Sequence, residues 1–128
     1  MEKMQTYKSE DDLQKTVARY LDSIKGKHKF KWCHVPNGGA RNVVVASKLK
    51  AQGVKPGVPD VMIFKNNNEF HGLAIELKIH YKSGKKNYPS KEQKEWIKYL
   101  REEGWAVFVA YTLDEVMVIV DEYMSNMG

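Results

Sequence analysis

Cysteine is nearly absent from these 128 residues, Cys33 being the only one. A single thiol excludes an internal disulfide framework, and such scarcity suits a reducing cytosol. Long apolar runs are missing as well: none approaches the roughly 20 residues a membrane-spanning helix needs. The first residues, Met1-Glu2-Lys3-Met4-Gln5, lack the apolar stretch of a secretory signal. There is no internal repeat and no low-complexity linker. A chain of 128 residues can bury a core of its own. Together these absences predict one soluble, cytoplasmic domain, residues 1–128, with no membrane partner.

Basic residues are also absent from one end. From Glu102 onward the chain carries Asp and Glu but neither Lys nor Arg, so the formal net charge of +5 is concentrated upstream. Lys25, Lys27, Lys29 and Lys31 alternate with Gly26, His28 and Phe30, and residues 41 to 55 hold Arg41, Lys48, Lys50 and Lys55 with no acid among them. Between residues 78 and 101 the basic residues far outnumber Glu92 and Glu95. Such polarity is what a phosphate-backbone footprint requires, although a solubilising surface has the same composition.

The stretch from Gly57 to Lys78 organises the rest. Two β-like runs, Val61-Met62-Ile63-Phe64 and Phe70 to Ile79, flank the turn-forming Asn66-Asn67-Asn68 and predict a hairpin. Asp60 enters the first strand behind Pro59, which cannot donate a ladder hydrogen bond. Glu76 and Lys78, two apart, leave the second strand on one face, while Leu73, Ile75, Leu77 and Ile79 take an apolar face that belongs to the core. An acid and a base therefore lie across from a second acid. Two carboxylates supply hard oxygen ligands for Mg²⁺ or Mn²⁺, and Lys78 can hold an attacking water or phosphorane oxygens. A Glu-x-Lys triplet alone fits any exposed strand; Asp60 behind a Gly-x-Pro turn shifts the balance toward chemistry.

Pro59-Asp60 followed by Glu76-x-Lys78 resembles the PD-(D/E)XK nuclease superfamily, and the longer run Lys50 to Asp60 resembles its VRR-NUC branch. Glu10-x-x-Leu13-Gln14, Pro36-Asn37-Gly38 and Ser90-x-x-Gln93-x-x-Trp96 match further segments in order. The resemblance implies an α/β, restriction-endonuclease-like α-β-β-β-α-β core with a mixed central sheet. It implies a Mg²⁺- or Mn²⁺-dependent deoxyribonuclease in which Asp60 and Glu76 bind metal, helped by Glu10 and the carbonyl of Leu77. Lys78 would then activate water with Gln93 assisting. It also implies cleavage of branched DNA such as a four-way (Holliday) junction. A chain this small offers little surface for wrapping DNA, which predicts a homodimer with two sites. Its compactness fits a bacterial or phage repair or recombination pathway. Flap, nicked-end or duplex cleavage keeps the same chemistry. A catalytically silent DNA-binding module, or an RNA-binding protein using its Lys/Tyr loop, would not need it.

The remaining segments carry their own signals. Residues 9 to 24 read as a helix capped by Ser9, with Leu13, Val17, Tyr20 or Leu21 and Ile24 as its stripe. Acids such as Glu10 also suit a helix start by dipole alone. Lys29 to Val35 reads as a strand, with His34 at its end assigned to packing or hydrogen bonding. Arg41, after the turn Pro36-Asn37-Gly38-Gly39, is a phosphate-contact candidate or simply solvated. Residues 43 to 52 read as a helix that stops at Gly53. The loop from His80 to Tyr88 offers Lys82, Lys85 and Lys86 beside two tyrosines, which suits DNA or a mobile surface. Lys91 to Glu103 reads as a helix whose Ser90-x-x-Gln93 start is also a capping box, a competing task for Gln93. Trp96 and Trp105 are expected in the core, Trp105 to Tyr111 as a strand buried on both faces, and Thr112 as the cap of a last helix carrying Val116, Val120 and Tyr123. Fraying is expected from Met124.

Overall fold

A computed structural model describes residues 6–36, 43–81 and 83–127. The elements are α1 (Glu10–His28), β1 (Trp32–His34), α2 (Val43–Ala51), β2 (Val61–Ile63), β3 (Leu73–Leu77), α3 (Lys91–Glu102), β4 (Ala106–Ala110) and α4 (Leu113–Ser125). The four strands form one sheet in the order β1-β2-β3-β4. β1 pairs antiparallel with β2 and β2 with β3, whereas β3 and β4 run parallel, so the sheet is mixed. With α2 inserted between β1 and β2 and α4 added at the end, the order α1-β1-β2-β3-α3-β4 is the expected α-β-β-β-α-β core. Among the described residues no helix is long and apolar enough to cross a membrane.

Side-chain alternation along β3 explains the layers. Leu73, Ile75 and Leu77 pack with Leu13, Val17 and Leu21 of α1 and Val116 and Val120 of α4. Ala74 faces the opposite way and packs with Met62, Val107, Ile97 and Leu100, placing α3 on the other side of the sheet. Burying one of these Leu or Ile side chains contributes about 2 kcal/mol through the hydrophobic effect. β3 is buried along its whole length. The face that carries Glu76 and Lys78 is therefore also a core face, because α3 covers it.

Several boundaries differ from the sequence reading. α1 runs four residues past Ile24, since Lys25, Lys27 and His28 complement the negative end of the helix dipole. It stops where Lys29 takes a left-handed conformation, φ 54°, and donates its N–H to the Lys25 carbonyl. Of Tyr20 and Leu21, Leu21 is the fully buried one. α2 forms and ends before Gly53 (φ 99°), yet none of its residues is buried. β4 lies at the sheet edge, and Phe108 is 43% exposed, so this strand is not buried on both faces. Parallel pairing with β3 needs apolar residues there, but among the described residues β4 has a strand neighbour on one side only. Trp96 and Trp105 pack against the α3-side core while remaining partly exposed.

The C-terminus does not fray at Met124, which is buried. The Asn turn of the hairpin holds it. Asn67 Oδ1 accepts the N–H groups of Glu69 and Phe70, at 2.9 and 2.7 Å, and its Nδ2 donates to the Tyr123 carbonyl at 3.2 Å. Asn68 donates its backbone N–H to the Asn126 carbonyl at 2.9 Å. The Tyr123 hydroxyl donates in turn to the Lys65 carbonyl. Asparagines chosen for a turn thus also stitch it to the last helix.

Candidate active site

Asp60 stands immediately before β2, in a loop pressed against α3. Gly57 adopts φ +92°, and a Cβ there would lie 2.6 Å from the Glu92 backbone carbon and 2.9 Å from Gln93 N. Only glycine tolerates both the dihedral and the approach. The close neighbour of this small-residue loop is the first turn of α3. From this loop Asp60 reaches across to β3, where its Oδ2 accepts the Leu77 N–H at 2.8 Å. In a strand the N–H and C=O of one residue point to the same edge, so the Leu77 carbonyl leaves toward Asp60 as well. The Asp60 carbonyl accepts from Val35 N, and His34 Nδ1 lies 2.8 Å from it, tying the end of β1 to the same point. His34 thus serves in hydrogen bonding, as the sequence indicates.

Glu76 is 1% exposed and hydrogen-bonds the Asp60 carboxyl. Burial pushes its pKa up to about 10, helped by that hydrogen bond and by the charge of Asp60, with Lys78 opposing. Glu76 Oε2 is buried without a partner, as are Nε2 and Oε1 of Gln14. Lys78 is also buried, and its Nζ lies 3.7 Å from Oε1 of Glu10. That same Glu10 oxygen accepts from Asn87 Nδ2 at 3.0 Å.

Glu10 and Asp60 open onto a cleft of about 440 Å³, lined also by Asp11, Gln14, His34, Pro36, Leu77 and Gln93, with Glu76 and Lys78 buried and outside its lining. Gln93 is at its wall and also closes the capping box: its Oε1 accepts from Ser90 N at 2.8 Å, and Ser90 Oγ accepts from Gln93 N at 3.2 Å. Gln93 therefore closes the helix start while lining the cleft, and the cap uses its Oε1 and leaves its Nε2 uncommitted to that motif. A separate hollow of about 450 Å³, lined by Pro56, Glu92, Glu95, Trp96 and Tyr99, sits on the outer face of α3 and contains none of the clustered groups.

The donor set suits a divalent cation. Its atoms are carboxylate and carbonyl oxygens, the ligands Mg²⁺ and Mn²⁺ prefer, and a buried carboxylate oxygen with no partner is one a cation would satisfy. Among the described residues no three His, Cys, Asp or Glu side chains converge on one point. The fit is therefore two carboxylates, with water completing the shell, as is usual for Mg²⁺.

The VRR-NUC domain profile matches residues 8–113. The chain belongs to the VRR-NUC family. A solved VRR_NUC domain protein shares its fold at a TM-score of 0.74 with 27% sequence identity, covering 99% of this chain and 93% of that one. No functionally curated protein matches the chain. Membership makes this a nuclease-type domain, a class that binds DNA, and the fold is restriction-endonuclease-like.

Of the residues singled out in the sequence, the VRR-NUC fold brings together Glu10, Asp60, Glu76, Leu77, Lys78 and Gln93. Lys85 and Lys86 follow β3 in the exposed loop, where Lys86 Nζ stands 5.1 Å from the centre of the Tyr111 ring. Arg41 and Lys82 lie outside the described residues. Two participants were not legible. Asn87 is a lone amide in a basic loop, and its contact with Glu10 spans 77 positions. Tyr111 reads as a strand residue, yet its hydroxyl donates to the Asn87 carbonyl at 2.7 Å.

Proposed function

We propose that this VRR-NUC domain is a Mg²⁺- or Mn²⁺-dependent endonuclease that hydrolyses phosphodiester bonds in branched DNA, four-way junctions above all. The observation carrying the chemistry is the Asp60–Glu76 carboxyl pair, with its partnerless Glu76 oxygen, beside the buried ammonium of Lys78. Asp60 and Glu76 would hold the cation, with the Leu77 carbonyl contributing and Glu10 acting through one of the waters that complete the shell. Bound there, it would lower the pKa of a coordinated water and offset charge growing on the phosphate. Glu76 must release its proton to bind it. Lys78, shielded from bulk solvent, orients the water and stabilises the negative charge of the transition state. Gln93 Nε2 directs the same water from the start of α3.

Substrate choice rests on size and charge. Lys85 and Lys86, in the loop after β3, would supply phosphate contacts, and Arg41 and Lys82, which lie outside the described residues, are candidates by charge alone. A single cleft addresses one strand, so a homodimer would present two clefts to two strands of a junction. One exposed cysteine, Cys33, fits work in the reducing cytoplasm of a bacterium or a phage-infected cell.

The test is cleavage of labelled four-way junction, flap and linear duplex DNA with Mg²⁺ or Mn²⁺, comparing wild type with Lys78→Ala and following binding by gel shift. Paired symmetrical nicks on the junction, lost in the variant while binding survives, are expected. Cleavage of flaps or ends instead would keep the chemistry and discard junction resolution. Tight binding by both proteins without cleavage would reduce the chain to a binding module. A monomeric mass in solution together with full activity would remove the dimer.

A further inference from the structure

We propose that Asn87 is a positioning residue that holds the Glu10 carboxylate off the Lys78 ammonium, keeping that ammonium available to the reacting groups; the inference deepens the nuclease reading above. Asn87 lies in the loop between β3 and α3 and is fixed from three directions. Its backbone N–H donates to the Ile79 carbonyl at 3.3 Å, its own carbonyl accepts the Tyr111 hydroxyl at 2.7 Å, and its Nδ2 donates to Glu10 Oε1 at 3.0 Å. Tyr111 is itself held, its ring 4.8 Å from that of His80 and under Lys86 Nζ. The backbone of Asn87 is thus set by contacts that do not involve Glu10, and it presents the side-chain amide to that carboxylate.

The shared oxygen is the key point. Glu10 Oε1 is within hydrogen-bond reach of Asn87 but 3.7 Å from Lys78 Nζ. A relaxed ammonium–carboxylate contact closes to about 2.7–2.9 Å. Asn87 therefore draws this shared oxygen to its own side, and without that bond Glu10 would close on Lys78. Lys78 is 6% exposed and has three donors. A tight Glu10 contact would take one of them and draw the ammonium toward α1, away from Asp60 and Glu76. Among the described hydrogen bonds the Asn87 side chain reaches Glu10 alone, so the effect of removing its amide passes through Glu10.

The experiment is a double-mutant cycle with Asn87→Ala, Glu10→Ala and the pair, read in two ways. In metal-free protein the ¹⁵Nζ resonance of Lys78 reports the ammonium's surroundings. It is expected to move in Asn87→Ala and to stay put when the same change is made on the Glu10→Ala background. In Mn²⁺, Asn87→Ala is expected to lower kcat about tenfold, the effect of one hydrogen bond to a charged group, with KM for DNA unchanged. On the Glu10→Ala background the same change should cost nothing further. A Lys78 resonance that ignores Asn87→Ala, or equal effects on both backgrounds, would overturn the proposal, since a residue that merely supports the loop acts whether or not Glu10 is present. If wild type cleaves no DNA with either metal, the nuclease reading falls, and the Lys78 resonance still decides whether Asn87 acts through Glu10.

Discussion

Replacing Glu76 by glutamine separates the cost of the site from its use. In the folded, metal-free protein Glu76 titrates near 10 instead of its ordinary 4.5, because it is buried beside Asp60. The acid's folded pKa lies above its unfolded one, so the native state holds the proton more tightly and stability falls as pH rises between the two values. Below pH 4.5 both states are protonated and nothing is lost. At pH 7 the unfolded chain has gained about 2.5 pH units of ionisation, or about 3 kcal/mol, while the native side chain has gained almost none. That figure depends only on the folded pKa lying well above 7. Glutamine has nearly the same shape, and its amide can donate to Asp60 as the protonated acid does. Glu76→Gln is therefore expected to be close to wild type in stability near pH 4.5 and about 3 kcal/mol more stable at pH 7, a rise of roughly 10 °C in Tm for a domain of this size. Urea unfolding in EDTA from pH 4.5 to 8 measures the difference. Adding Mn²⁺ should then reverse the order, because a cation that binds only the native site stabilises wild type and leaves the glutamine variant unmoved. The decisive quantity is the pH dependence: if the two proteins keep a constant difference from pH 5 to 8, Glu76 is already ionised when folded and the reasoning is wrong.

Other expectations concern how the site is held. Gly57→Ala forces a Cβ into the backbone of Glu92 and Gln93 at a positive φ, and should cost about 2–4 kcal/mol in urea unfolding while also depressing cleavage, because the loop that carries Asp60 must shift. An unchanged midpoint would show that the loop does not depend on α3. Lys29→Gly relieves the left-handed cap of α1 and should gain about 0.5–1 kcal/mol, read as a small rise in Tm; a loss would mean that the lysine side chain contributes more than its backbone strain. Asn67→Ala removes acceptors from Glu69 and Phe70 and a donor from the Tyr123 carbonyl. It should cost about 1–3 kcal/mol and speed amide exchange at the end of α4, an effect absent if the hairpin turn and that helix are independent.

Much of this protein is determined by local sequence. Ser9, Ser90 and Thr112 each accept a backbone N–H three residues on, so these helices begin where a hydroxyl precedes an apolar stripe. Alternation along residues 73 to 77 places Glu76 opposite the Leu73, Ile75 and Leu77 face, whatever packs there. The Gly-x-Pro-Asp and Glu-x-Lys segments are likewise near in sequence, and a hairpin brings them together. What depends on distant segments was not legible. Whether β4 is a central or an edge strand turns on how many strands assemble, and no property of Ala106–Ala110 encodes that number. The basic run after Ile24 carries no apolar stripe, so the sequence reading ends the helix at residue 24, yet the helix continues where the dipole rewards that charge. The C-terminus reads as free because its partners are asparagines some 58 residues away. Asn87 has no pattern at all: its meaning comes from α1, β3 and Tyr111 arriving at the same point, and only the packed sheet puts them there.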